Sequence, residues 1–89
     1  MDYKVNEDVI YRRIEDEFVL INLQSDQIFT LNQTGSTFWE LLMEGLPVSE
    51  IRARLLDAYD VSPEDLDAEI SLMVEKLTSE GLIERNSDR

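Results

Sequence analysis

The sequence predicts an α+β domain in which a three-stranded antiparallel sheet precedes three α-helices. Two observations lead to this prediction. Three short runs rich in apolar and β-branched residues occupy the first part of the chain, with short polar breaks between them. The remainder contains three segments with apolar residues at helical spacing. Breaks this short favour hairpins, so the strands are expected to form an antiparallel meander.

The three predicted strands differ in their apolar patterns. Residues 9–14 and 27–31 alternate between two sides, whereas residues 18–23 are almost wholly apolar, as in a strand buried on both faces. The middle run is therefore expected at the centre of the meander and the third run at its edge. An edge strand exposes unpaired backbone N–H and C=O groups, which can pair with another chain. The third run contains no proline and no charged residue that would discourage such pairing.

The first two helices have local start and stop signals. The first is predicted over residues 33–44, because Asn32 can cap its N-terminus and Gly45 suits its C-terminal end. The second is predicted over residues 48–59, after Pro47. Inward-facing apolar residues at helical spacing are Phe38, Leu41, Leu42, Ile51, Leu55 and Ala58.

The third helix has the strongest start signal. Ser62 is a good N-cap, Pro63 fits the first helical position, and acidic residues follow at the positive end of the helix dipole. Gly81 is expected to end the helix, residues 82–85 to form a short extended piece, and residues 86–89 to fray. The predicted inward stripe consists of Leu66, Ile70, Met73 and Leu77.

Composition indicates a single domain without catalytic equipment. The 89 residues suffice for one domain, 1–89, with an ordered core over about residues 5–84. The chain has no cysteine and no histidine, which removes thiolate nucleophiles, disulfides, the usual zinc sites and histidine acid–base catalysis. Although there are 20 acidic residues, no pattern places two of them together in a cleft. We therefore expect no enzyme activity, no metal site and no cofactor.

Charge and hydropathy restrict the partners and the location. The net charge of −12 repels nucleic-acid phosphates and favours basic partners. No apolar run approaches the roughly 18–20 residues that span a bilayer, and the N-terminus lacks the basic start and apolar segment of a secretory signal. The sequence therefore predicts a cytoplasmic protein that binds neither nucleic acid nor membrane.

Three helices followed by an extended segment resemble a winged helix-turn-helix. In that fold the third helix reads DNA, and such a helix needs cations near the phosphates. Here the only cation of the third helix is Lys76. Its acidic residues, counted to Glu80, are Glu64, Asp65, Asp67, Glu69, Glu75 and Glu80. The fold class is thus expected to be shared with DNA readers without their function. The alternative from another functional class is a winged-helix protein that binds DNA or serves as a structural adaptor.

The order of short motifs along the chain resembles the PqqD-like family, also called RiPP recognition elements, where RiPPs are ribosomally made and post-translationally modified peptides. The resemblance covers about residues 5–84. One departure is Pro47, which stands where the family often has a Thr or Ser able to cap the second helix; Ser49 is the substitute available. The motifs are FVLINL at 18–23, IFTLN at 28–32, TG at 34–35, WELL at 39–42, Gly45, Ile51, Leu55, YDV at 59–61, Leu77 and GLI at 81–83.

This resemblance implies a non-catalytic binding protein. Family members bind the leader segment of a precursor peptide, which adds as a strand to the third strand of the sheet and lies against the third helix. They then deliver the precursor to a leader peptidase or another RiPP-modifying enzyme. The sequences of these motifs are most similar to those of the stand-alone leader-binding proteins of lasso-peptide clusters. A PqqD-type chaperone of pyrroloquinoline quinone or another RiPP pathway is the alternative.

Strand position and helical geometry then predict the peptide-binding residues. The alternative for the helix is that Val74 widens the core stripe and that the acids are only solvated. Because small proteins with an edge strand can pair through their sheets, a homodimer is kept as an alternative to the monomer. The predicted residues on the third strand are Gln27, Ile28, Phe29, Thr30 and Leu31. Those on the third helix, along its inward stripe and one flank, are Asp67, Ile70, Ser71, Val74, Glu75 and Thr78.

Overall fold

Strands precede helices in the computed structural model, which describes residues 3–85, and the α+β prediction is confirmed. The expected fraying of residues 86–89 lies outside the described residues. The elements in chain order are β1 (Tyr3–Val5), β2 (Val9–Ile14), β3 (Glu17–Asn22), β4 (Gln27–Thr30), α1 (Gln33–Met43), α2 (Val48–Ala58), α3 (Pro63–Ser79) and β5 (Ile83–Arg85).

The predicted meander is formed by β2, β3 and β4, with β3 at its centre. The third predicted strand is therefore β4. Its hairpins turn through Glu15 and Asp26, which adopt positive φ angles of 58° and 61°. Aspartate tolerates this left-handed conformation better than most residues do, because its short polar side chain can hydrogen-bond locally. One face of the meander packs on the helices, while the other stays open.

A two-stranded ribbon joins the two ends of the described chain. In it β1 pairs antiparallel with β5, with Val5 opposite Ile83. The sequence analysis predicted the extended piece at 82–85 but missed β1. Three residues are too few for an alternation pattern to stand out. Such a short strand depends on its partner, which lies at the far end of the chain.

The helix termini follow the predicted capping residues. The Asn32 side chain accepts a hydrogen bond from the Gly35 N–H at 2.8 Å, and that of Ser62 accepts one from the Asp65 N–H at 3.1 Å. By contrast, α2 begins after Pro47 with no side-chain cap, so Ser49 does not take that role. The fully buried side chains that hold the helices to the sheet are Trp39, Phe38, Leu20, Ile51, Leu55, Leu66, Leu82 and Ile83.

Candidate functional site

The outer edge of β4 carries unpaired backbone groups. Within the described part of the chain β4 is bonded to β3 only, so the prediction of an edge strand is confirmed. The Leu31 N–H donates to the Phe18 C=O at 2.9 Å. Residues whose backbone groups face the partner strand alternate in an antiparallel ladder. Those of Phe29 therefore also face β3, whereas the N–H and C=O groups of Ile28 and Thr30 point outward.

A groove of about 410 Å³ runs between this edge and α3. Its floor is mostly apolar and its rim includes the free backbone of β4, so an extended peptide could both pair with the strand and insert side chains. The wall formed by β4 and the start of α1 consists of Ile28, Phe29, Thr30, Leu31, Asn32 and Gly35. The opposite wall, from α3 and the turn after it, consists of Glu69, Met73, Lys76, Leu77 and Leu82.

The strand and the helix that form the groove run in opposite directions. Asn22, which lies opposite Gln27 in the ladder, donates to the C=O of Glu80 at the end of α3, at 2.8 Å. Further along β4, the Lys76 Nζ lies 5.8 Å from the centre of the Phe29 ring. The start of β4 is thus close to the C-terminal end of α3, and the end of β4 lies beside the middle of that helix.

Gly35 sets the width of the groove at the start of α1. A Cβ atom at this position would lie 3.2 Å from Asn32 Oδ1, 3.4 Å from the Leu31 Cβ and 3.6 Å from Met73 Sδ. The first of these distances is tighter than usual, and the atom approached is the oxygen that caps α1. A larger side chain here would enter the space between β4 and α3.

Charge in the groove is confined to Glu69 and Lys76. Both are exposed, and neither forms an ion pair with the described residues. Asp67, in contrast, accepts hydrogen bonds from Arg52 on α2. This hydrogen bond and the carboxylate charge raise the pKa of the Arg52 guanidinium above its ordinary value. Asp67 is therefore engaged with α2 and is absent from the groove lining.

The predicted binding residues are divided between two sides of the molecule. Four of the five strand residues line the groove, and the fifth, Gln27, lies just before them at the start of β4. None of the six helix residues lines it. Five of these line a second groove of about 760 Å³, across which lie Tyr3, Val48 and Arg85. These five are Ile70, Ser71, Val74, Glu75 and Thr78.

The structure places the predicted helix residues away from β4. The inward stripe of α3 was predicted well, since Leu66, Ile70 and Leu77 are buried. An inward stripe has a flank on each side, and the residues predicted from the sequence lie on the flank that faces away from β4. The flank that lines the groove beside β4 carries Glu69 and Lys76, which the prediction did not include. A peptide-binding role for either set of residues stays a prediction. No residue pattern within the helix distinguishes the two flanks, because each mixes polar and apolar residues.

No group of acidic residues within residues 3–85 has the geometry to hold a metal ion. No helix in that range combines the length and hydropathy needed to cross a bilayer. Among the described residues, the one buried side-chain nitrogen without a hydrogen-bond partner is Nε1 of Trp39, whose ring lies edge-on to the Tyr11 ring in the core. The groove beside β4 is therefore the candidate site.

Comparison with known proteins gives consistent matches. The family described as Coenzyme PQQ synthesis protein D (PqqD) matches residues 17–83, which include β3, β4 and all three helices. The structure of TbiB1 in complex with the TbiA(beta) leader peptide is similar with a TM-score of 0.88 and 30% identity, over 96% of this chain and 99% of that chain. No curated protein sequence matches the chain.

A second solved structure, lasso peptide synthetase B1 complexed with the leader peptide, has the same fold. Its TM-score is 0.85 at 19% identity, and the match covers 94% of this chain and 99% of that chain. At this identity the likeness concerns the fold alone. Both matches cover this chain almost end to end, so the fold is shared over nearly its whole length.

Proposed function

The chain belongs to the PqqD family, and from that premise we propose that it binds the leader segment of a ribosomally made precursor peptide. The leader adds as a strand to the outer edge of β4 and lies against α3. The observation that carries this proposal is the outward-pointing backbone of Ile28 and Thr30 beside a groove whose lining includes the apolar side chains of Phe29 and Met73. The similar TbiB1 structure, determined with a leader peptide, supports it.

Affinity and selectivity come from different parts of the groove in this mechanism. The outward N–H and C=O groups of Ile28 and Thr30 offer up to four main-chain hydrogen bonds, each with a net contribution of about 0.5–1.5 kcal/mol. These bonds do not depend on the guest sequence. Alternate guest side chains face α3 and contact the partly buried Met73, so these side chains provide the selectivity.

Delivery to a separate enzyme is the second part of the proposal. Without cysteine or histidine, the chain lacks the residues most often used as nucleophile and general base. We propose that a leader peptidase or another modifying enzyme acts on the bound precursor in the cytoplasm, where precursors are synthesised. The motif sequences, which are most similar to those of the leader-binding proteins of lasso-peptide clusters, favour a lasso-peptide pathway over one for pyrroloquinoline quinone or another RiPP.

Binding can be tested with the leader peptide encoded beside this gene. Isothermal titration is expected to show saturable one-to-one binding, and amide NMR is expected to show the largest shifts at Ile28 and Thr30. The decisive variant is Ile28→Pro, which removes an outward N–H while leaving the bonds to β3 intact, as proline is tolerated on an edge strand. Its control is Arg13→Pro on the opposite edge of the meander, where Arg13 lies opposite Phe18 and its N–H also points outward.

The two proline variants give a clear result either way. Strand addition at β4 requires Ile28→Pro to weaken binding and Arg13→Pro to keep it. Equal affinities would overturn the proposed edge, and the absence of heat with every neighbouring leader would overturn leader binding itself.

A further inference from the structure

The two charged residues of the β4–α3 groove lie toward its opposite ends. They are Glu69 and Lys76, and every other residue that lines the groove is uncharged. Their spacing on α3 corresponds to about 10 Å along the helix axis. Both side chains are exposed, and neither has an ion-pair partner in the described part of the chain. The groove is thus electrically asymmetric along its length.

The contacts of α3 show how this asymmetry is oriented along β4. Lys76 lies over the ring of Phe29, in the middle of the strand. Met73, one turn earlier on the helix, approaches Gly35 just after the strand has ended. Glu69 lies a further turn away in the same direction. A guest strand paired with β4 therefore passes the cation beside Phe29, and it reaches the anion where it continues past the end of β4.

We propose that the groove selects an extended peptide in which a basic residue precedes an acidic residue by four positions, with an apolar residue midway between them. This inference rests on the strand addition proposed above. Residues i, i+2 and i+4 of a guest face the same side and span about 13 Å, which long side chains adjust to the spacing of Glu69 and Lys76. The middle residue lies over the partly buried side chain of Met73, which is placed between the two charges on α3.

The order of the charges follows from the direction of the guest. Every strand pair in the described chain is antiparallel, and antiparallel pairing is slightly more stable per residue than parallel pairing. Along β4 the chain runs from the Lys76 side toward the Glu69 side, so an antiparallel guest meets Glu69 first. The basic residue therefore comes first in the guest. A parallel guest would need the reverse order.

The two ends of the groove contribute unequally. The net charge of −12 attracts a basic guest residue, and Asp65, one turn before Glu69 on α3, strengthens the negative end. Lys76 already interacts with the Phe29 ring, so it gains less from an acidic guest residue. Because exposed ion pairs are weak, reversing both guest charges is expected to change Kd by about three- to tenfold.

A phage-displayed library of random nonapeptides, selected on the full-length chain, tests this inference. Selected peptides are expected to be enriched in a basic residue, an apolar residue and an acidic residue at i, i+2 and i+4. The double variant Glu69→Lys with Lys76→Glu keeps the net charge and is expected to enrich the reverse order. The control is the double variant Glu50→Arg with Arg54→Glu, an exposed ion pair on α2 outside both grooves, which also keeps the net charge and should leave the order unchanged.

Two synthetic peptides complete the test on the wild-type chain alone. One is a selected nonapeptide, and the other has its basic and acidic residues exchanged. Fluorescence anisotropy is expected to show about three- to tenfold weaker binding of the exchanged peptide, and a smaller difference at high salt. Equal affinities, a reverse order in the wild-type selection, or an order unaffected by the double variant of Glu69 and Lys76 would overturn the charge selection and leave peptide binding intact. If neither the library nor a leader peptide binds, the proposed function fails and this inference fails with it.

Discussion

The side-chain hydroxyl of Ser36 accepts a hydrogen bond from the backbone N–H of Phe18 at 2.8 Å. The same hydroxyl donates to the C=O of Leu31 at 3.2 Å, so it sits between β3 and the residue that follows β4. Ser36 belongs to the first turns of α1 and is only 3% exposed. This bridge ties α1 to the sheet where the chain leaves β4, and so it helps to position the β4 edge relative to the helices.

We expect Ser36→Ala to lower the free energy of unfolding by about 1–3 kcal/mol, because it leaves the buried N–H of Phe18 without a partner. Urea denaturation followed by circular dichroism measures this change. Ser71→Ala, at an exposed position on α3, is the matched control and should change stability by no more than about 0.5 kcal/mol. Similar effects of the two substitutions would show that the bridge is unimportant.

Two neighbouring residues can test which flank of α3 contacts the leader. Met73 lines the groove beside β4 and Val74 lines the second groove, although both are partly buried. We expect Met73→Asp to weaken leader binding at least about tenfold, since it places a charge on the apolar surface that a guest would cover. Val74→Asp should leave affinity unchanged. The opposite result, measured by titration calorimetry on folded variants, would restore the flank predicted from the sequence.

Gly35 provides a test of groove width. Gly35→Leu is expected to weaken leader binding at least about tenfold, because its side chain would occupy space beside Met73. Gly35→Ala should have an intermediate effect on binding, and the two variants should retain the circular dichroism spectrum of the wild type. Leader affinity that is the same for glycine, alanine and leucine would contradict a binding site at this point.

Recognition through the main chain predicts that Ile28 tolerates a change of side chain but does not tolerate the loss of its backbone N–H. Ile28 is 66% exposed, so Ile28→Thr should change leader affinity by no more than about threefold and stability little. The proline at the same position is expected to weaken binding at least about fivefold, because it removes an outward N–H and leaves the guest C=O that it would bind without a partner. Strong loss of affinity with threonine would indicate that the guest contacts the isoleucine side chain and not mainly the strand edge.

Much of the fold could be predicted because its signals are local. Asn32 and Ser62 cap their helices through hydrogen bonds to residues three positions later, so each cap can be recognised from a few neighbouring residues. The alternating pattern of β4 and the short breaks between the strands likewise depend on nearby residues. They predicted correctly that β4 is the edge strand of the meander. The part of the candidate site that β4 forms could therefore be predicted from the sequence.

Only the tertiary structure decided which flank of α3 lines the groove beside β4. The sequence determined which stripe of α3 is buried, because burial follows from apolar spacing, and it determined the strand that stays at the edge. Which flank of α3 faces β4 depends on the direction from which the helix meets the sheet. That direction is set by contacts between distant residues, such as Asn22 with Glu80, Ser36 with Phe18, and β1 with β5. A periodic pattern is symmetric about its own stripe, so it contains no information about which side a distant strand will occupy.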